Sequence, residues 1–482
     1  EGDGIPDNLE IDSDDVTIDG MQIGISNVDA GIHSTGDTDL AIQNNVINAD
    51  SLGIAIVGVA TGAVSISSNE ITLADFTTPL GNVTSSITLY GLVGVVDVDV
   101  SDNEHAGSAL GVFVYGCLST NILSIANDTV TASIRGASIF STDGTNRASS
   151  TVNISGFSVS SFAEPGGGIT NFPETGIYFF TDGASTDSHI LTATVTNSTF
   201  EDVENTTSDY AGIICGDFSS TDYIAYLQDI TITECNIQDN ENRGLFARGQ
   251  NTQVNIIRST LDGNGFNPTA TGGNPGISVI ARNSAEVTIT NSILINPATL
   301  SGPEDIPNNF YAAGLFVDAG GSIDISGSSI TNNGNGFIAT GVATNTLNMS
   351  GNWLGSANQA TVELMIQNQA EVDFTPYLGD GTDTDLVTAG FQGAFDDLVV
   401  TTTGSQTSST RLQEVHDLDD PDATITVRQD DYAETLTISK NISLNPEAST
   451  TIDDLTLNGG NLNVLADLEI NNTLTLTDGV LD

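Results

Sequence analysis

The chain has 482 residues, 63 acidic and 9 basic, for a formal net charge of −54, with Lys440 the only lysine. Nucleic acids and anionic lipid surfaces both demand cationic side chains, so the balance argues against either partner. No apolar run reaches the ~18 residues of a spanning helix, so no membrane insertion is expected. A surface this acidic repels itself unless cations screen it, which points to a salty or Ca2+-containing extracellular medium. Hydrophobic residues make up 38% and recur at a fixed beat, so the composition is not that of a disordered chain. Aromatic residues are only 6%, which suits a narrow interior. Cys117, Cys215 and Cys235 form no CxxC motif and read as small apolar wall residues.

The first ten residues, Glu1-Gly-Asp-Gly-Ile-Pro-Asp-Asn-Leu-Glu10, place oxygen donors around Gly4 at the spacing of a calcium loop. Glu1, Asp3, the carbonyl of Ile5, Asp7 and Glu10 are the candidate ligands, and Ca2+ is the expected ion. The D-G-I-P-D run resembles the last unit of a thrombospondin type 3 calcium repeat. The first ligand of such a loop falls before Glu1, and the far end stops in mid-alternation, so a segment of a longer protein is expected.

From Val16 to Leu354 an apolar residue is followed five positions later by another, twelve times over. The pairs are Ile18/Ile23, Ile42/Ile47, Ile66/Ile71, Val100/His105, Ile125/Val130, Ile154/Val159, Val195/Phe200, Ile232/Ile237, Ile256/Leu261, Ile289/Leu294, Ile325/Ile330 and Met349/Leu354. Only His105 breaks the apolar rule. The spacing never drops below 24 residues, as expected of stacked turns that keep their strands and vary their loops. Second strands follow glycine, at Gly53, Gly111, Gly176, Gly212, Gly244, Gly276, Gly314 and Gly336, and positive-φ corners are expected there. Three positions after the first anchor stands Asn or Ser at Asn45, Asn69, Asn103, Ser198, Ser259, Ser292, Ser328 and Asn352, where stacked side chains can hydrogen-bond.

These features over residues 14–378 resemble the right-handed parallel β-helix, the pectate-lyase-like superfamily. About twelve turns of solenoid are expected. Gly351-Asn-Trp-Leu-Gly355 and Asp373-Phe-Thr-Pro-Tyr-Leu378 resemble the closing segment of β-helix modules in large bacterial surface proteins, with Trp353 as a plug for the coil end. Residues 379–410, rich in Gly, Asp and Thr, read as a connector. Arg411-Leu-Gln-Glu-Val415, with the strands that follow, resembles the opening of a second β-solenoid module over 411–482. There a short amphipathic helix caps the coil, although Asp417 to Asp422 are acidic where the family has small residues. Residues 451–482 resemble repeats of Bacteroidetes cell-surface proteins.

Three functions compete. The first is a non-catalytic structural and adhesive stalk of a giant extracellular or bacterial cell-surface protein, stiffened by calcium and able to self-associate. Loops at 72–90, 160–175, 201–210 and 296–312 would contact a polysaccharide or protein ligand. The second is a polysaccharide lyase or glycoside hydrolase of this fold. A lyase needs a basic side chain near a held cation, and Arg243, Arg248, Arg258 and Arg282 cluster in sequence. A hydrolase needs paired carboxylates, for which Asp182 and Asp217 follow Gly-led strands. The third is a carbohydrate- or ice-binding surface, but Thr192-Ala-Thr194, Thr231-Ile-Thr233 and Thr288-Ile-Thr290 are not sustained over neighbouring turns.

Overall fold

The computed structural model describes residues 7–24, 30–59, 61–73, 84–92, 95–107, 110–116, 122–131, 135–140, 150–160, 175–180, 190–201, 211–216, 224–240, 243–264, 277–296, 313–332, 337–340, 346–408, 410–428, 430–447 and 450–482. Three parallel sheets, of 13, 13 and 11 strands, collect successive strands in rotation, and a seven-stranded sheet begins at Tyr377. The chain is therefore an all-β parallel β-helix with a further sheet module. It divides into two compact units, Glu1–Asn255 with Leu261–Glu286 and Pro303–Phe310, and Ile256–Thr260 with Val287–Gly302 and Tyr311–Asp482.

In the first unit the predicted anchors stack in register. Ile18, Ile42, Ile66, Val100, Ile125, Ile154, Val195 and Ile232 form one column. Ile23, Ile47, Ile71, His105, Val130, Val159, Phe200 and Ile237 form another. The first sheet adds a column from Ile32 through Ile54, Ile87 and Val112 to Val279. All of the anchors are buried. Burying branched side chains in continuous columns removes apolar surface from water at roughly 25 cal/mol per Å2, the main driving force of the coil.

The bends differ from expectation. Chain reversal between the second and third sheets uses one left-handed residue two positions after each first anchor: Gly20, Asn44, Ser68, Asp102, Asn127, Gly156, Asn197 and Glu234 in the first unit, and Arg258, Asn291, Gly327 and Gly351 in the second. Asn and Asp tolerate that region because their short polar side chains bond locally. The glycines heading the first-sheet strands are not the positive-φ corners. A Cβ on Gly53 would lie 2.4 Å from Ile71 Cγ2 and 2.5 Å from the Ser86 carbonyl oxygen, so glycine is kept there for space. Ser86 takes the same place one turn on, in the strand Ser85–Tyr90, which occupies the last six residues of the expected 72–90 loop. Ser278, aligned with Gly244, takes it in place of the expected Gly276.

The residue after each left-handed corner joins a polar ladder. Asn45 Nδ2 donates to Asn69 Oδ1 (2.9 Å) and to the Ile18 carbonyl (3.0 Å), while its backbone N–H donates to the same Asn69 oxygen. Asn69 repeats this with Asn103, and Met21 N donates to Asn45 Oδ1. Serine forms a simpler ladder in the second unit, Ser259 N to Ser292 Oγ, Ser292 N to Ser328 Oγ and Ser328 N to Asn352 Oδ1. Cys235, expected as plain wall, stands at a ladder position with its thiol toward the Thr233 and Val195 carbonyls.

His105 finds its reason here. Asp128 replaces the ladder amide one turn after Asn103; its Oδ1 accepts from Asn103 N (2.9 Å) and Nδ2 (3.2 Å). His105 Nε2 meets Asp128 Oδ2 at 3.1 Å, and both side chains are fully buried. A buried carboxylate is tolerated only when its lone pairs are met, so the one polar anchor sits beside the one acidic ladder residue.

In the second unit Trp353 does not plug the coil: Asn352 and Leu354 are buried, while Trp353 is partly buried against Gly381, where a Cβ would lie 2.3 Å from its ring. The expected connector supplies a strand, Asp397–Val400, antiparallel to Tyr377–Leu378 and parallel to Ala423–Val427. Two helices follow the coil's repeats, α1 (Gln359–Leu364) and α2 (Arg411–Leu418). Glu434 caps α2, its carboxylate accepting from the N–H of Arg411 (3.1 Å) and Leu412 (2.9 Å). The acidic run after α2 has a use, because Asp419 is buried and ion-paired to Lys440. Residues 451–482 form two long parallel strands, Thr451–Val464 and Glu469–Leu481.

Replacing His105→Ile alone is expected to cost about 3–5 kcal/mol in denaturant unfolding, because Asp128 stays buried without its partner. The double change His105→Ile/Asp128→Asn rebuilds an apolar anchor and an amide ladder, and is expected to return stability to within about 1 kcal/mol of the parent or above it.

Candidate functional site

The outward lane at the end of the first-sheet strands becomes aromatic over four turns. Val57, Tyr90, Tyr115, Phe140 and Phe180 are register neighbours. Tyr90 and Tyr115 stack with centroids 5.2 Å apart and planes 8° from parallel. Phe140 continues the contact to Tyr115 (6.0 Å) and Phe180 (4.9 Å). Tyr90 is 47% exposed, so the column opens to solvent at that end. Sequence reasoning missed this column, though its signal was present: each ring stands four residues after the Gly-or-Ser position that heads the strand.

The candidate arginines divide. Arg243 is buried, its guanidinium 4.6 Å from the Phe246 ring centroid, and Arg135 packs likewise over Tyr178 at 4.8 Å. Such contacts hold a guanidinium against a ring face. Arg248 and Arg282 are direct register partners, each following an Ala at the end of its strand. Arg258 is a left-handed corner residue with φ 48°. Asp182 and Asp217 lie outside the described residues, as do Glu1, Asp3 and Ile5. Asp7 and Glu10 belong to the strand Asp7–Ile11, in register with Ala30 and His33, and Glu10 is exposed. The loop segments 74–83, 161–174, 202–210 and 297–312 also lie outside the described residues.

In the second unit a cleft of about 360 Å3 lies between the strand residues Asp324 and Asn348, with Ser350 just after the latter strand, and the α2 residues Gln413, Glu414 and Asp417. Asn348 Nδ2 donates to Asp324 Oδ1 (3.3 Å), Gln413 Nε2 to Asp417 Oδ1 (2.9 Å), and Ser408 Oγ to Glu414 Oε2. Gln413 also brackets the Thr437 backbone, accepting from its N–H at 2.9 Å, which fixes α2 against the sheet. Burial pushes the Asp324 carboxyl above its ordinary range. Burial also raises Glu414, opposed by its hydrogen bonds from Ser408 and Ser350 and reinforced by the Asp373 charge. A carboxyl held protonated beyond the usual range can serve as a general acid. Among the described residues, no group of three or more His, Cys, Asp and Glu side chains is placed to hold a metal ion.

The outward lane of the second sheet, Ser65, Asp99, Ser124, Asn153, Thr194 and Thr231, is mixed rather than a threonine array. Cys215 and Cys235 are buried free thiols; burial raises both, Cys235 to about 11. No family model, curated protein or solved structure matches the chain.

A carboxyl raised by folding binds its proton more tightly folded than unfolded, so it favours the fold in acid and penalises it once pH exceeds the raised value. Asp324→Asn keeps the acceptor for Asn348 and is expected to raise the melting temperature at neutral pH, with the gain vanishing below about pH 4 in a thermal series. Cys215 and Cys235 are expected to resist alkylation near neutral pH until denaturant is added, as read by mass spectrometry.

Proposed function

We propose that this chain is a non-catalytic structural and adhesive stalk segment of a large extracellular or bacterial cell-surface protein. The observation that carries the reading is the pairing of apolar columns with interior amide and hydroxyl ladders. In the first unit eight consecutive turns are held in one register, and a slip of a single residue would misplace every column at once. That investment favours stiffness over a moving active site. Several buried polar groups are engaged in the framework: the candidate Arg243 and also Arg135 against rings, His105 with Asp128, and Asp419 with Lys440. The partly exposed aromatic column is a contact surface suited to an extracellular polysaccharide or protein ligand.

Calcium belongs to the same proposal. Glu1, Asp3, Ile5, Asp7 and Glu10 supply oxygen donors of the kind a hard cation takes, and the exposed carboxylate of Glu10 is accessible to one. The bound ion would fix the segment leading into the first strand.

The raised Glu414 and Asp324 carboxyls favour, as a second reading, a polysaccharide hydrolase or lyase of this fold.

Incubation with polyuronates and neutral glycans, followed by absorbance for unsaturated product and by reducing-end release, is expected to show no turnover. Turnover abolished by Arg248→Ala or Glu414→Gln would replace the stalk with an enzyme. Chelation of calcium is expected to speed hydrogen exchange in residues 7–11 while the coil stays protected. Global unfolding on chelation would show that the ion has another role.

A further inference from the structure

We infer that Lys440 and Asp419 are a self-modification site, where the lysine amine joins the aspartate carboxyl in an intramolecular amide cross-link. Lys440 is the only lysine of the chain, and the other eight basic residues are all Arg. Arginine is the better partner for a plain ion pair, and the chain uses it at every other basic position. Lysine alone brings a nucleophilic amine that can form an amide with a carboxyl group. Lys440 connects the strands Asp431–Ile438 and Ile442–Pro446, and Asp419 caps the C-terminus of α2. Nζ touches both Asp419 Oδ1 and the Asp419 backbone carbonyl, contacts that hold the nitrogen against the carboxyl group it would attack. The Asp419 side chain is wholly buried, and the Lys440 contact aside, neither carboxylate oxygen accepts a hydrogen bond among the described residues. A buried carboxylate with unmet lone pairs is costly. A neutral amide removes both charges and one of the two oxygens from the site.

His416 supplies the remaining group. The Ser439 backbone N–H donates to His416 Nε2 (3.1 Å), which leaves the ring proton on Nδ1. Nδ1 lies 3.7 Å from Asp419 Oδ2 and has no hydrogen-bond partner among the described residues. In the reaction, one ammonium proton passes to Oδ1, which Nζ touches, leaving a neutral amine and a carboxylic acid. Nζ then bonds to Cγ, and the negative charge that develops on Oδ2 is met by the His416 Nδ1–H. A second proton passes from Nζ to Oδ1, the Cγ–Oδ1 bond breaks and water leaves. Oδ2 remains as the amide carbonyl oxygen and His416 keeps its proton. Nothing is oxidised or reduced, and no co-reactant is consumed.

The product ties α2 to the sheet between residues 21 positions apart in sequence. Its chemistry needs only this pocket, so it stands or falls independently of the stalk reading that the turnover assay tests. The intact mass of the purified full chain, unfolded in denaturant, is expected to lie one water below the sequence mass. Lys440→Arg keeps the cation and is expected to restore the full mass with an unchanged circular dichroism spectrum. Trypsin acting on the unfolded parent is expected to spare the bond after Lys440 and to release residues 412–428 joined to 429–482 as one branched peptide. In timed cell-free synthesis quenched with denaturant, His416→Leu is expected to slow the loss of water at least tenfold, with the circular dichroism spectrum of the parent. A parent at full sequence mass, a tryptic cut after its Lys440, or a water loss that persists in Lys440→Arg would each overturn the cross-link. Linkage at the parental rate in His416→Leu would overturn the part given to His416.

Discussion

Everything in the coil depends on how the backbone N–H at the bend between the second and third sheets is satisfied. A bend at the wall of a narrow interior leaves a donor facing inward, where an unpaired N–H costs about as much as a lost hydrogen bond. Asn45, Asn69 and Asn103 solve this by accepting the N–H of the preceding turn on Oδ1 and donating Nδ2 to a carbonyl and to the next ladder side chain, an amide for Asn45 and Asn69 and the Asp128 carboxylate for Asn103. Ser292 and Ser328 solve it with one hydroxyl, donating two residues back and accepting from the preceding turn. The left-handed residue just before each ladder residue aims it inward. Phe157 shows the limit of the rule: it brings no acceptor, its own N–H still reaches Ser198 Oγ, and its ring packs near Phe200.

The coil was legible because its strongest signal is periodic. An apolar pair five residues apart, recurring no closer than 24 residues, survives variation in loop length, and each such residue is an interior column member. Glycine was legible as a marker and misread as a mechanism. Absence of a side chain and freedom at φ are separable properties, and Gly53 is used for the first, while Asn44 and Ser68 supply the second. Trp353 was misplaced because size suggested a plug, whereas it stands only partly buried, at an isolated bridge to Ser329, between the two buried neighbours Asn352 and Leu354. Of the site, the juxtaposition of Arg248 and Arg282 could be read by aligning strands. The aromatic column could have been found the same way. The cleft beside α2 could not, because it joins residues some 60 to 90 positions apart whose meeting depends on how the helix lies on the sheet.

The polar groups that the coil buries are recruited in matched sets. His105 and Asp128 replace an aliphatic residue and an amide together, and Asp419 is buried only where Lys440 reaches it. Removing one member of such a set is costly, whereas removing both with shape retained is not. The sets therefore specify register at modest net cost, in keeping with a part whose task is to hold its form.

The ladder has a direction, and direction matters during synthesis. Every side-chain acceptor of the ladder described in the first unit is supplied by the later turn, Met21 donating to Asn45, Asn45 to Asn69, Asn69 to Asn103 and Asn103 to Asp128, while the Nδ2 groups of Asn45 and Asn69 also donate back to a carbonyl of the preceding turn. A ribosome delivers these in the order that leaves the newest turn always incomplete and completes the one before it. Growth of the coil is thereby a ratchet, each emerging turn locking its predecessor, with the nascent tip held open until the next arrives.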